Sequence, residues 1–240
     1  MAISDQMPDE KLSVTQLHSY DYGGGAETVA RLNHRGLVSA GHRSQLLVAI
    51  KSGDDPDIER IKYSRGVPGA VRFARKLESV TGLQYTYSPS FRNVPHQFEQ
   101  QPDIVHIHSL HGAEGWADLM GVASLSRKYP TVCSLHDLWL LTGHCVHPMG
   151  CERWKQSCGS CPDLTAYPAL PKEGTRLNWK RKENQFKSNQ VVLIAPSQWV
   201  KNQIEQSQIL NKCQLHIVPN PIDTGIFNTD CREGARSRFG

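Results

Sequence analysis

Histidines give the first chemical signal. His106, His108 and His111 close one apolar run, and His136-Asp137 closes another. A neutral imidazole donates and accepts near pH 7, so histidines gathered on one rim suit a pocket for a polyol or a phosphate. His136 and Asp137 stand where a strand gives way to a long loop, the better position for touching substrate. His106 lies inside its run, where a buried imidazole more simply satisfies a local hydrogen bond.

Four of the seven cysteines, Cys145, Cys151, Cys158 and Cys161, fall in one stretch. A Cys-x2-Cys pair can place two thiolates on one ion, and two further thiolates complete a tetrahedral zinc site. The expectation is a structural zinc that shapes residues 137–172, which carry Cys, Gly and Pro but no helical or strand period. Closed coordination leaves no open position, so the ion is expected to be structural, not catalytic. His144 or His147 can replace one thiolate. The spacing also admits a redox pair at Cys158 and Cys161, or thiols without metal. Cys133, Cys213 and Cys231 read as ordinary thiols.

Gly23-Gly24-Gly25 offers a third chemistry. Backbone N–H groups in such a turn, with a helix N-terminus behind them, attract an anion. The plain alternative is a tight turn that holds no ligand. The pattern is not GxGxxG, and the second strand ends Ala49-Ile50-Lys51-Ser52 with no acidic residue, which argues against a dinucleotide. Residues 172–187 carry six Lys/Arg against two Glu, with Leu177, Trp179 and Phe186 interleaved. That is either a solvated face or an interfacial helix meeting anionic lipid head groups or a diphosphate.

The elements that must position these groups read as an α/β alternation. Residues 11–20 form a strand, 26–40 a helix closed by Gly41, and 42–50 a strand. A basic helix spans 68–80. Strand 103–108, helix 113–127 and strand 131–136 follow. Strand 191–196, a short helix at 197–207 and strand 214–220 complete the series. Short apolar runs without clean alternation belong to a parallel sheet covered on both faces, here a Rossmann-like sheet with helices on both sides. At 240 residues and 38% hydrophobic, the chain has core enough without disulfides. A net charge of +4 argues against a nucleic-acid binder. No run approaches a membrane span and the N-terminus lacks a secretory signal, so the chain is expected in the cytoplasm.

GGGAE (23–27), DIVHIHSLHG (103–112), SLHDLW (134–139), APSQWV (195–200) and VPNPIDTGIF (218–227) resemble, in order, the N-terminal half of GT-B-fold retaining glycosyltransferases of family 4. The stretch 135–168 resembles the Cys-containing loop of colanic-acid-type exopolysaccharide glycosyltransferases. The resemblance implies an acceptor-side domain over 1–220, including the loop 137–172, and an interdomain hinge and start of a linker over 221–240. The donor-binding domain, with its Glu-x7-Glu motif, is absent from this chain, so the chain alone is expected to be inactive. The implied substrates are a nucleoside-diphosphate sugar and a lipid-linked or polysaccharide acceptor. Gly24 and Gly25 would face the diphosphate, and His136 the transferred sugar or the acceptor hydroxyl. His108 and His111 would line the acceptor side, and Asp137 would bind substrate. No catalytic divalent metal is implied. Ser197 would cap a helix or touch substrate. Peripheral contact with the inner face of the plasma membrane, through 172–187, completes that picture. The competing class is a non-catalytic module that binds glycan or lipid phosphate.

Overall fold

Seven parallel strands in the order β3-β2-β1-β4-β5-β6-β7 form one sheet in a computed structural model that describes residues 10–186, 191–227 and 232–239. The strands are β1 (Ser13–Tyr20), β2 (Arg43–Ile50), β3 (Ile58–Arg60), β4 (Ile104–Ile107), β5 (Thr131–Ser134), β6 (Val191–Ala195) and β7 (Leu215–Ile217). The helices are α1 (Gly25–Ser39), α2 (Ala70–Thr81), α3 (Pro89–Arg92), α4 (Leu119–Lys128), α5 (Thr175–Phe186), α6 (Gln198–Gln206) and α7 (Arg232–Phe239). The Rossmann-like α/β fold expected from the alternation is the observed one. β3 and α3 escape the sequence reading because each is too short to show a period.

The register explains the sequence pattern. Leu47, Leu17, Ile107, Cys133 and Leu193 lie side by side across five strands. Each of these is nearly or fully buried, and each apolar side chain of that size contributes roughly 2 kcal/mol over leaving it exposed. One residue earlier, a second row points to the opposite face, as strand geometry requires. There Gln16 stands beside His106, and His106 beside Val132. The sheet therefore has one apolar face and one that turns polar across β1, β4 and β5.

The helix expected over 113–127 begins only at Leu119. Asp118 caps it, its Oδ1 accepting from Gly121 N at 2.6 Å, and residues 113–115 make a separate 3₁₀ turn. Residues 137–172 form an irregular loop with two 3₁₀ turns, Trp139–Leu141 and Arg153–Lys155. It is anchored by Leu138, Trp139, Leu141 and Trp154, each at most 2% exposed. Cys231, Lys187 and part of the expected hinge (residues 228–231 and 240) lie outside the described residues.

Candidate active-site rim

Strand order reverses between β1 and β4, and in such a sheet the crevice for ligands opens at the carboxyl ends of the strands there. The glycine turn follows β1, His108 and His111 follow β4, and His136 and Asp137 follow β5. Three neighbouring strands thus bring the glycine turn and these histidines to one rim.

The turn is built for a close approach. Gly23 has φ +122°, a backbone conformation that favours glycine. Gly24 is the N-cap of α1 and supplies no side-chain cap, so the first N–H groups of that helix are left for other partners. Glu27, in the first turn, places Oε2 only 2.6 Å from where a Gly24 Cβ would stand. An anion seated here shares the helix N-terminus with that carboxylate.

The histidines form a stacked column. His106 and His108 have ring centroids 4.0 Å apart, and His108 and His136 lie 5.4 Å apart with nearly parallel rings. His18 stacks on His108 from the β1 side at 6.0 Å. His106 Nε2 pairs with Ser134 Oγ at 2.8 Å, the local hydrogen bond expected of it. His108 lies between Gln16 Oε1, 2.9 Å from its Nε2, and His136 Nε2, 3.1 Å from its Nδ1. Burial, and then the neighbouring histidines, push His18 down to about 3 and His106 down to about 4. His108 is driven well below the usual imidazole range by the same causes. Burial also lowers His136, with Asp137 pulling the other way. The column is therefore neutral at physiological pH.

His111 Nε2 meets Asp137 Oδ2 at 2.7 Å. His111 Nδ1 and Trp139 Nε1 are both buried without a hydrogen-bond partner among the described residues. Both residues line a cavity of about 20 Å³ together with His108, His136 and Asp137, room for one water or one hydroxyl group. An indole N–H and an imidazole lone pair are the partners a single hydroxyl can satisfy.

Beside this cavity runs an open groove of about 460 Å³ lined by Tyr20, Tyr85, Tyr167, Arg75 and Gln84. Tyr20 Oη accepts from Ala113 N at 2.7 Å and Tyr85 Oη from Gly112 N at 2.9 Å. Sequence reasoning missed these tyrosines, which are distant along the chain and carry no motif. It also missed Asp21, whose carboxylate accepts from Ser52 N at 2.9 Å and Gly53 N at 2.7 Å and ties the ends of β1 and β2 together. Those hydrogen bonds outweigh burial and hold Asp21 below the usual carboxylate range. Ser197 takes the capping role: its Oγ accepts from Val200 N at 3.3 Å at the start of α6.

The cysteine loop differs from expectation. Cys145, Cys151, Cys158 and Cys161 do line one pocket with His144 and His147. Among the described residues, however, no three His, Cys, Asp or Glu side chains are grouped so as to hold a metal ion. The tetrahedral zinc expected of those cysteines is thus unsupported. Burial raises Cys145 and Cys161 and pushes Cys158 up to about 11, which favours thiols over thiolates. Side chains of α5 brace the loop directly. Lys182, fully buried on α5 and pushed down to about 7 by that burial, donates to Trp139 O at 2.5 Å and Thr142 O at 2.9 Å, and its Nζ lies 3.5 Å from the centroid of the Trp139 ring. Trp179 Nε1 donates to Trp154 O at 2.9 Å.

Those contacts also account for one side of 172–187, the stretch read either as a solvated face or as an interfacial helix. Trp179 and Phe186 are 2% and 5% exposed, packed into the core. Arg181 donates to Gln84 O at 2.7 Å and Tyr85 O at 3.1 Å, so two of its basic residues serve the protein's own backbone. Leu177 alone of the interleaved apolar residues faces out. Among the described residues no helix is long and apolar enough to cross a membrane.

Comparison with known proteins places these observations. The profile of Glycosyltransferase Family 4 matches residues 23–225. The Escherichia coli (strain K12) protein WcaC, named as a colanic acid biosynthesis glycosyl transferase, is 24% identical over 220 residues, covering 83% of this chain and 52% of its own length. The chain thus spans about half the length of the curated relative it matches. A crystal structure of a glycosyltransferase from Rickettsia africae ESF-5 aligns over 96% of this chain and 50% of its own, at 10% identity and a TM-score of 0.47.

Proposed function

The chain belongs to glycosyltransferase family 4, and from that premise we propose that its rim is the acceptor-side half of a sugar-transfer cleft. In this reading residues 1–220 form the acceptor-side domain and 221–240 lead out of it. In the same reading, transfer also needs a donor-binding domain. The donor is a nucleoside-diphosphate sugar. The acceptor is a lipid-linked or polysaccharide glycan of exopolysaccharide assembly.

The observation that carries the proposal is the convergence of the Gly23–Gly25 turn, His108, His111 and His136 at the point where strand order reverses. Backbone N–H groups of Gly24 and Gly25 and the α1 N-terminus suit a diphosphate. His136 and the small cavity between His111 and Trp139 suit hydroxyl groups. Transfer is retaining. The acceptor oxygen bonds to the anomeric carbon on the face from which the diphosphate departs. The sugar–phosphate bond breaks, and a leaving phosphate oxygen takes the hydroxyl proton. The protein's part is to hold the two reactants and to stabilise charge growing on the phosphate.

Contact with an anionic membrane fits residues 62–80 better than 172–187. Tyr63, Val67 and Phe73 are each at least 65% exposed there, interleaved with exposed Lys62, Arg65, Arg72 and Lys76. The one acid in the stretch, Glu78, is held by Arg75 and Thr86. Apolar anchors among cations are what an anionic lipid surface recognises. α2 also walls the tyrosine groove, which supports delivery of a lipid-linked acceptor along it.

The test is sugar transfer by the full-length protein. His136→Ala, with its fold verified by circular dichroism, should lose transfer. A purified variant transferring at the parent rate overturns the assignment.

A further inference from the structure

Side-chain hydrogen bonds cross the polar face of the sheet in one continuous line that ends at the rim. His34 Nδ1 and Ser44 Oγ lie 2.9 Å apart. Gln16 Nε2 donates to Ser44 Oγ at 3.0 Å. Gln16 Oε1 lies 2.9 Å from His108 Nε2, and His108 Nδ1 lies 3.1 Å from His136 Nε2. Gln16 and His108 are 0% and 2% exposed, so water does not compete for these partners.

The line has a direction. With the Gln16 amide nitrogen turned to Ser44 and its oxygen to His108, His108 carries its proton on Nε2, because an amide oxygen only accepts. A neutral imidazole has one N–H, which leaves His108 Nδ1 as an acceptor. The bond to His136 then requires the proton of His136 on its Nε2. Nδ1 of His136 is left with a bare lone pair. Among the described residues no hydrogen bond is made to that atom, and it is not one of the buried atoms lacking a partner. The neutrality of the column, a result of its burial, is the condition for this chain of inference.

We propose that Gln16 and His108 are positioning residues that fix His136 as a hydrogen-bond acceptor, presenting its Nδ1 lone pair to a substrate hydroxyl. The proposal rests on the reading of His136 as a substrate contact and sharpens it: His136 recognises a hydroxyl group, not a phosphate or carbonyl oxygen, each of which would demand a donor. A purely structural role for Gln16 requires only that its amide be satisfied and makes no demand on the proton of His136.

The two roles are separated by long-range 1H–15N NMR of the full-length protein labelled with 15N-histidine, at neutral pH. The expected spectrum shows His136 protonated on Nε2 and bare on Nδ1. Gln16→Met, which keeps the side-chain length but removes the amide, should turn His136 into a mixture of both tautomers. It should also lower kcat for sugar transfer about tenfold or more. Protonation of His136 on Nδ1 in the parent overturns the proposal without any variant. So does a pure Nε2–H signal that survives in folded Gln16→Met. The spectrum is read without turnover, so its failure is distinct from a failure of His136→Ala to abolish transfer.

Discussion

Asp137 holds His111 with one carboxylate oxygen and the backbone of the following loop with the other. Oδ2 lies 2.7 Å from His111 Nε2, and Oδ1 accepts from Trp139 N at 2.7 Å. One side chain therefore sets both a rim imidazole and the turn that carries the buried Trp139. Asp137→Ala should cost about 1–3 kcal/mol of stability by leaving a backbone N–H and an imidazole N–H unpaired. It should also reduce transfer. Urea denaturation and a transfer assay on the same preparation check this, and an unchanged urea midpoint contradicts it.

The neutral histidine column makes stability depend on pH. An unfolded histidine takes its proton near 6.5, whereas His106 holds out to about 4 and His18 to about 3. Between those values the unfolded state binds more protons. The stability is therefore complete above 6.5 and is lost as pH falls, at about 1.4 kcal/mol per pH unit for each such histidine. Asp137, the carboxylate facing the column, opposes the effect at His18 and His136. Urea midpoints measured from about pH 7 down to about pH 4.5 should fall steeply, and His106→Asn should fall less steeply. A flat profile for the parent rules the account out.

Asp118 is fully buried and carries three structural duties. It caps α4 at Gly121 N, accepts from Ser88 N at 3.0 Å, and pairs with Arg92 Nε at 2.8 Å. Asp118→Ala should cost about 2–4 kcal/mol, mostly from the two stranded backbone N–H groups, because the Arg92 side chain is 41% exposed and can return to water. Thermal unfolding measures the loss. A shift no larger than that of an ordinary surface substitution contradicts the assignment.

Binding to vesicles rich in anionic lipid should depend on 62–80. Each basic residue near the surface is worth about 1 kcal/mol, so Arg72→Glu with Lys76→Glu should weaken binding by well over tenfold, and Phe73→Ser should weaken it further. Lys172→Glu with Lys180→Glu, on the other basic segment, should change it little. Co-sedimentation at low and high salt compares the pairs. The reverse ranking returns the contact to 172–187.

Much of the fold was legible in the sequence because a doubly wound sheet writes itself in short apolar runs separated by helices. Gly23–Gly25, His108, His111 and His136 were legible because each stands at the end of such a run, and parallel strands put those ends on one side. The role of Gln16 was not legible. Its partner His108 is ninety-two positions away and its place in a strand looks like ordinary alternation. The cysteine loop misled for a related reason. Thiol spacing can be counted in the sequence, but Lys182, which reaches back to Trp139 and Thr142, reads only as one charge in a basic run.

That same lysine has a consequence for synthesis of the protein. The carbonyls it satisfies belong to residues made some forty positions earlier, so the loop leaves the ribosome before its keystone exists. Until the helix bearing Lys182 emerges, the nascent chain exposes tryptophans and unpaired thiols together.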